Sequence, residues 1–279
     1  MLGSVSKPYE FFSDGTNAYW NEVGTGSVKV MDLATGTITT IATGQSWPNG
    51  IAVAGAYVYW AEYTGGNINK APINGTGPVT HIATGQNYPI GIAIDSAYAY
   101  WADNGNNAIN KAPLNGSGPV TTLATGQNSP TGVTIDSSYV YWVTIIGGTV
   151  SKAPLNGSGL VTNLAAGQVM PHNLLIDSTY AYWTSYDGTV DKAPLTGAGP
   201  TTALASGQGY PESIALDSGY IYWVNDNTNG TVNKAPINGS GPITVLASGQ
   251  NHPHGISVDS TYVYWTEYVA NGNLKKVAK

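Results

Sequence analysis

The chain has 279 residues, of which 42% are hydrophobic and only 9% charged, with ten lysines, no arginine, no cysteine and a net charge of −6. That composition excludes a nucleic-acid partner, since no basic stripe exists to meet a phosphate backbone, and it excludes disulfides, thiolate metal sites and cysteine nucleophiles. It is not that of a disordered chain, and no apolar run approaches the ~18 residues of a membrane span.

From Pro8 onward one ruler repeats seven times, a proline twelve residues before a tryptophan: Pro8/Trp20, Pro48/Trp60, Pro89/Trp101, Pro130/Trp142, Pro171/Trp183, Pro211/Trp223 and Pro253/Trp265. Successive tryptophans lie 40, 41, 41, 41, 40 and 42 residues apart, so the chain is one supersecondary unit written seven times. The predicted units are 8–47, 48–88, 89–129, 130–170, 171–210, 211–252 and 253–279, the last completed by 1–7. In the third unit, strand patterning covers Gly91–Asp95, Tyr98–Asp103, Ala108–Leu114 and Val120–Thr125, divided by Asp, Asn, Gly and Pro turns.

Four short strands per unit, with no helical period, predict an all-β fold: a single-domain, seven-bladed β-propeller of antiparallel blades, in which radial closure protects the sheet edges. The last unit stops after its third strand. Met1–Ser6 is therefore expected beside Leu274–Ala278 as the outer strand, closing a monomeric ring. The first strand of each blade should line the axial channel, and the second carries a Tyr-Trp pair that wedges neighbouring blades together.

Positions alike in every copy are architectural. The Asp of the first turn (Asp14, Asp95, Asp136, Asp177, Asp217, Asp259) reads as a turn acceptor. Asn74, Asn115, Asn156 and Asn238, each before Gly, read as turn formers that also spell glycosylation acceptors. Differences concentrate in the loop entering the inner strand and the loop joining strands two and three, which emerge on one face.

Directly after the ruler proline stand Tyr9, Asn49, Ile90, Thr131, His172, Glu212 and His254, expected to ring the channel mouth. His172, Glu212 and His254 are metal-competent types, His252 lies close by, and Glu10 adjoins them once the ring closes. Two His and one carboxylate form a recognised facial set, which points to a divalent ion, magnesium or another, at the mouth. Directly before the proline, Trp47, Tyr88 and Tyr210 offer flat faces to a ligand. Two residues past the tryptophan come Glu22, Glu62, Asp103, Thr144, Ser185, Asn225 and Glu267, read as acceptors for neighbouring loops. Glu267 shares its blade with His252 and His254 and joins the candidate ligand-binding set.

Two resemblances rest on these residues. Tyr100-Trp101-Ala102-Asp103 and Tyr264-Trp265-Thr266-Glu267, with Lys111–Gly118 (KAPLNGSG), resemble the YWTD repeat of lipoprotein-receptor propellers, which have six blades rather than seven. Pro253-His254-Gly255-Ile256, with Tyr9 after Pro8, resembles bacterial streptogramin B lyase. That resemblance implies a seven-bladed propeller that opens cyclic depsipeptides by elimination, with a magnesium ion and His254 as acid/base at the mouth. The family's penultimate-blade His is Glu212 here, and its last-blade Glu falls on Tyr268, beside Glu267.

The sequence favours a non-catalytic binding propeller that presents its varied face to a small molecule, glycan or protein. Tyr9, Glu10, Trp47, Asn49, Tyr88, Tyr210, His252 and Glu267 are the expected contacts. The alternatives are a metal-assisted lyase using His254, with His172, Glu212 and His254 on the ion, and a carbohydrate-binding lectin. MLGSVSKPYEFF has no signal-peptide pattern. A secreted or cell-envelope location is favoured, with the leader not present in this sequence.

Overall fold

A computed structural model describes residues 2–279; Met1, the first residue of the expected closing strand, lies outside the described residues. The described residues form seven four-stranded antiparallel sheets, and in six of them the strands follow chain order from the axis outward. Blade three runs Pro89–Ile94, Tyr98–Asp103, Ala108–Pro113 and Thr121–Ala124, with one helical turn at Asn104–Asn106. Among the described residues no helix is long and apolar enough to cross a membrane.

Blade seven takes its outer strand from Gly3–Val5, which pairs with Gly272–Leu274. The pairing is thus at the start of the third strand rather than along Leu274–Ala278. In blade three the outer strand pairs with Ile109 to Lys111, the equivalents of Leu274 to Lys276, so the closing strand sits about two residues nearer the start of its partner than the outer strand of blade three does.

The ruler residues build the core. Each of seven apolar clusters joins the Tyr of one blade to the Trp of the next, as Tyr59 with Trp101 and Tyr141 with Trp183, and Tyr264 with Trp20 across the closure. Burying one such ring contributes on the order of 4–6 kcal/mol by area, an upper bound. Each indole N–H still needs a partner. Trp101 donates to Gln86 at 3.1 Å, six blades use the equivalent Gln, and Trp20 uses Glu22. The first-turn Asp serves twice: Asp95 accepts the amides of Ala97 and Tyr98 on one oxygen and the Tyr100 hydroxyl on the other. Lys70, Lys111, Lys152 and Lys192 each donate to a carbonyl of the next blade while lying over a tyrosine ring. Much of the positive charge is spent inside the scaffold.

The start of each inner strand positions the site. The residue before every ruler proline (Lys7, Trp47, Tyr88, Ser129, Met170, Tyr210, His252) is left-handed, with φ between 47° and 59°. A β-bulge follows, and bulges re-aim side chains. In blades two to four the post-proline residue stays in the ladder (Asn49↔Ala61, Ile90↔Ala102, Thr131↔Val143). In blades one, five, six and seven it does not: pairing stops at the proline and resumes three residues later, as from Pro171↔Ser185 to Leu174↔Trp183. Tyr9, His172, Glu212 and His254 are the residues set free.

Candidate functional site

Freed backbone groups need partners, and a polar residue directly after the ruler tryptophan supplies them in three of these four blades. Asn21 Oδ1 accepts the Glu10 amide at 2.9 Å, the Thr184 hydroxyl donates to the Glu212 carbonyl at 2.8 Å, and Thr266 Oγ1 accepts the Gly255 amide at 3.1 Å. The ladder-bound blades have Ala61, Ala102 and Val143 there.

Glu212 is the centre of the mouth. Its Oε1 lies 3.0 Å from His172 Nδ1 and 3.6 Å from His254 Nε2, and its Oε2 accepts the Tyr186 hydroxyl at 3.1 Å. The His172 contact is off the N–H axis, so it is an ion-pair contact rather than an aligned hydrogen bond. His254 Nδ1 is 2.8 Å from the Tyr9 carbonyl. A carbonyl only accepts, so Nδ1 carries a proton, and Nε2 is the ring nitrogen that faces Glu212. Tyr9 and Tyr268 hold the His254 ring at 4.7 and 5.1 Å between centroids, and Tyr186 stacks on His172 at 5.4 Å and 16°.

The electrostatics follow from burial set against pairing. Burial alone would raise the Glu212 carboxyl, but the charges of His172 and His254 outweigh it and bring it down to about 2. Burial would lower His172, and Glu212 outweighs it, raising the imidazole. Glu10, at the top of the channel, is pushed the other way: burial raises its carboxyl, against the fields of His254 and His172. The channel below has a volume of about 390 Å³, and among the described residues Glu10 is the one ionisable side chain on its wall.

The other predicted residues fall into three groups. Trp47, Tyr88 and Tyr210 are exposed on the mouth face, and His252 there pairs with Asp226 at 2.7 Å. Asn49 is buried beside Tyr9 with its Oδ1 unpartnered. Glu267 turns away from the mouth: its carboxylate is buried and taken by the Asn251 amide, Asn273 and Lys275, the loop-clamp role read for its position. Tyr186 and Asp226 escaped sequence reasoning, and Tyr268 entered it only through the lyase resemblance. Each stands three residues past a ruler tryptophan. In most blades the amide of that residue donates to the carbonyl of the pre-proline residue, as Tyr63 does to Trp47 and Tyr268 to His252, which puts the side chain on the mouth rim.

Magnesium, which the resemblance to the lyase implies, takes near-octahedral oxygen ligands. The mouth does not fit it: both Glu212 oxygens are engaged by protein groups, and among the described residues no three ligating side chains gather to hold an ion. The cluster is an ion-pair network.

No family model and no curated protein matches the chain. Among solved structures it is similar to streptogramin B lyase (TM-score 0.82, 14% identity, 98% of this chain and 94% of the other). It is equally similar to a catalytically inactive virginiamycin B lyase from Staphylococcus aureus with quinupristin (0.82, 14%, 98% and 95%). A propeller of the nidogen/laminin complex also matches (0.67, 19%, 84% and 95%). These likenesses show the β-propeller fold, and the seven sheets of this chain give its blade count.

Proposed function

We propose that the channel mouth binds a small ring-containing molecule and moves a proton on it, the chemistry of an elimination. One observation carries this: Glu212 sits between two imidazoles while Glu10 beside them is pushed in the opposite protonation direction. Groups whose environments drive their pKa values apart are how a site keeps an acid and a base at one pH. The fold does not require them, since Asn49, Ile90 and Thr131 fill the same positions in blades two to four.

In this reading His254 Nε2 is the base. The Tyr9 carbonyl fixes its tautomer, and Glu212 stabilises the imidazolium formed when it takes a proton from carbon next to a carbonyl. The electron pair left behind forms a carbon–carbon double bond as the neighbouring carbon–oxygen bond breaks, and the leaving oxygen departs as a carboxylate. Glu10, whose carboxyl is raised by burial, faces the same mouth and in its protonated form can donate to the carbonyl oxygen as charge develops on it.

Quinupristin, present in one similar structure, is the first probe. EDTA-washed protein incubated with it should yield an opened product of unchanged mass with a new double bond, whereas hydrolysis would add one water. His254→Ala and Glu212→Gln should each slow opening about 10²–10⁴-fold. A second reading, binding without chemistry, is favoured by the exposed rings of Trp47, Tyr88 and Tyr210. Calorimetric binding with an intact ring would replace the elimination by that reading.

A further inference from the structure

We infer that blades two and three carry a second binding site, for a neutral saccharide, on a platform made by Trp47, Tyr63 and Tyr88. The three rings form one run across the blade boundary: Trp47 to Tyr63 is 6.1 Å between centroids at 51°, and Tyr63 to Tyr88 is 4.9 Å at 32°. Trp47 and Tyr88 are each 47% exposed. Rings that served only to pack loops would be covered, and these keep wide apolar faces in water.

The fold requires the backbone here but not the side chains. Trp47 and Tyr88 hold left-handed φ values of 55° and 54°, yet Ser129 and Lys7 hold the same conformation at the same position in other blades. Left-handed backbone is costly for non-glycine residues. Each blade accepts that cost for its entry turn, and two adjacent blades use it to turn large aromatic rings outward.

The surroundings select the ligand class. The nearest carboxylates, Glu62 and Asp103, are buried and spent: Glu62 on the Ser46 amide and Asn67, Asp103 on the Asn87 amide, Asn106 and Asn110. What the rim shows instead is side-chain amide, with Asn87 donating to Asn106 at 3.2 Å in an exposed pair. Among the described residues no lysine lies over Trp47, Tyr63 or Tyr88, and the two carboxylates are already taken. A purely apolar ligand would bury those amides without partners, which is unfavourable. A sugar ring matches both features, its C–H face lying on the aromatic rings and its hydroxyls exchanging hydrogen bonds with amides. The site lies apart from the Glu212 network and does not depend on the elimination reading.

Trp47 provides its own readout, because the seven ruler tryptophans are at most 3% exposed. Acrylamide quenching of tryptophan emission therefore reports mainly on this platform. The probes are neutral hexasaccharides of glucose, mannose, xylose and N-acetylglucosamine, with N-acetylphenylalaninamide and tetramethylammonium as aromatic and cationic comparators. At least one hexasaccharide should protect the quenchable emission saturably. Tyr63→Ala should raise the half-saturating concentration about ten-fold, as loss of one stacking partner predicts. Protection should persist in His254→Ala. Absence of protection by every hexasaccharide, or protection by a comparator alone, would overturn the saccharide site. Loss of protection in His254→Ala would also overturn it, by placing the sugar in the acid–base cluster.

Discussion

The two halves of the channel mouth are built from one repeat yet differ in how the chain enters the inner strand. In blades two to four the second residue after the proline is Gly50, Gly91 or Gly132, each with φ between 56° and 63°, and a one-residue adjustment there keeps the post-proline residue in the ladder. These glycines also let the inner strands close up: a Cβ on Gly50 would stand 3.0 Å from Gly91, and one on Gly132 would stand 2.7 Å from the His172 carbonyl. In blades five, six and one the same place holds Asn173, Ser213 or Glu10, and blade seven has Gly255 without a positive φ. There the post-proline residue itself leaves the ladder and its side chain turns into the mouth. Charge at the mouth is therefore an addition to the fold rather than a condition of it.

The largest test asks whether the frame ignores the difference. Trp142 in the neutral half and Trp223 in the charged half are both fully buried, and each should cost about 3–5 kcal/mol as Ala. Trp47→Ala, at an exposed site, should change stability by under about 0.5 kcal/mol. Urea unfolding compares the three, and a large gap between Trp142→Ala and Trp223→Ala would mean that the charged half bears on the frame.

The next test grafts one half onto the other. Glu212→Ile alone leaves two imidazoles without their buried counter-charge and should destabilise by about 3–5 kcal/mol. The triple change His172→Thr, Glu212→Ile and His254→Asn borrows the residues of blades four, three and two. Removing the whole network should bring stability back to wild type or above it by about 1–4 kcal/mol. A triple variant as weak as the single one would show that the network holds the fold together.

These tests also mark what the sequence made legible. The ruler proline and tryptophan reveal blade number, strand order and the buried rings, because every copy repeats the same packing. The convergence of His172, Glu212 and His254 was legible from their shared position in adjacent blades. That Glu212 pairs with the histidines rather than a metal was not, since it depends on distances of a few tenths of an ångström and on Tyr186. A bulge signal stands in three of the four open blades: polar Asn21, Thr184 and Thr266 after the tryptophan, against Ala61, Ala102 and Val143, whereas blade six opens with Val224 there. Glu267 looked like a mouth residue because of its neighbours in sequence, whereas strand alternation turns it onto the Asn251 loop.

A smaller effect is expected at the seam between blades seven and one, which lies in the charged half. Gly3–Val5 is the outer strand there, and buried Val5 packs with Leu274, Trp20 and Tyr264. Deleting residues 1–6 removes that strand and should cost about 2 kcal/mol through Val5 and the lost ladder bonds. The contact of His254 with the Tyr9 carbonyl spans the same seam, so the deletion should also slow any chemistry at the mouth. An unchanged urea midpoint would separate closure from stability.

The smallest effect is the dependence of the charged half on pH, and its sign is fixed by the direction of each shift. His172 is raised, so its contribution is complete below its unfolded value of about 6.5 and is lost as pH climbs through the folded value. Glu212 is lowered to about 2, so its contribution is complete above about 4.3 and is lost as pH falls through the folded value. Glu10 is raised, which means that the folded state favours its neutral form and loses stability as pH rises from about 4.3 through its folded value. His172 and Glu212 place the pair's best range between about pH 4.5 and 6.5, and Glu10, which wild type and the triple variant both keep, adds to the fall in stability as pH rises. Asp217, lowered to about 2 mainly by its bond to Lys279 against burial, adds acid sensitivity of its own, but it lies in the scaffold of both proteins. Subtracting the urea profile of the triple variant from that of wild type over this range cancels it. The difference should be most favourable to wild type near pH 5–6 and shrink by on the order of 1 kcal/mol by pH 8. Parallel profiles would mean that Glu212 and His172 do not titrate as a pair, and the contrast between the two halves would then be one of shape alone.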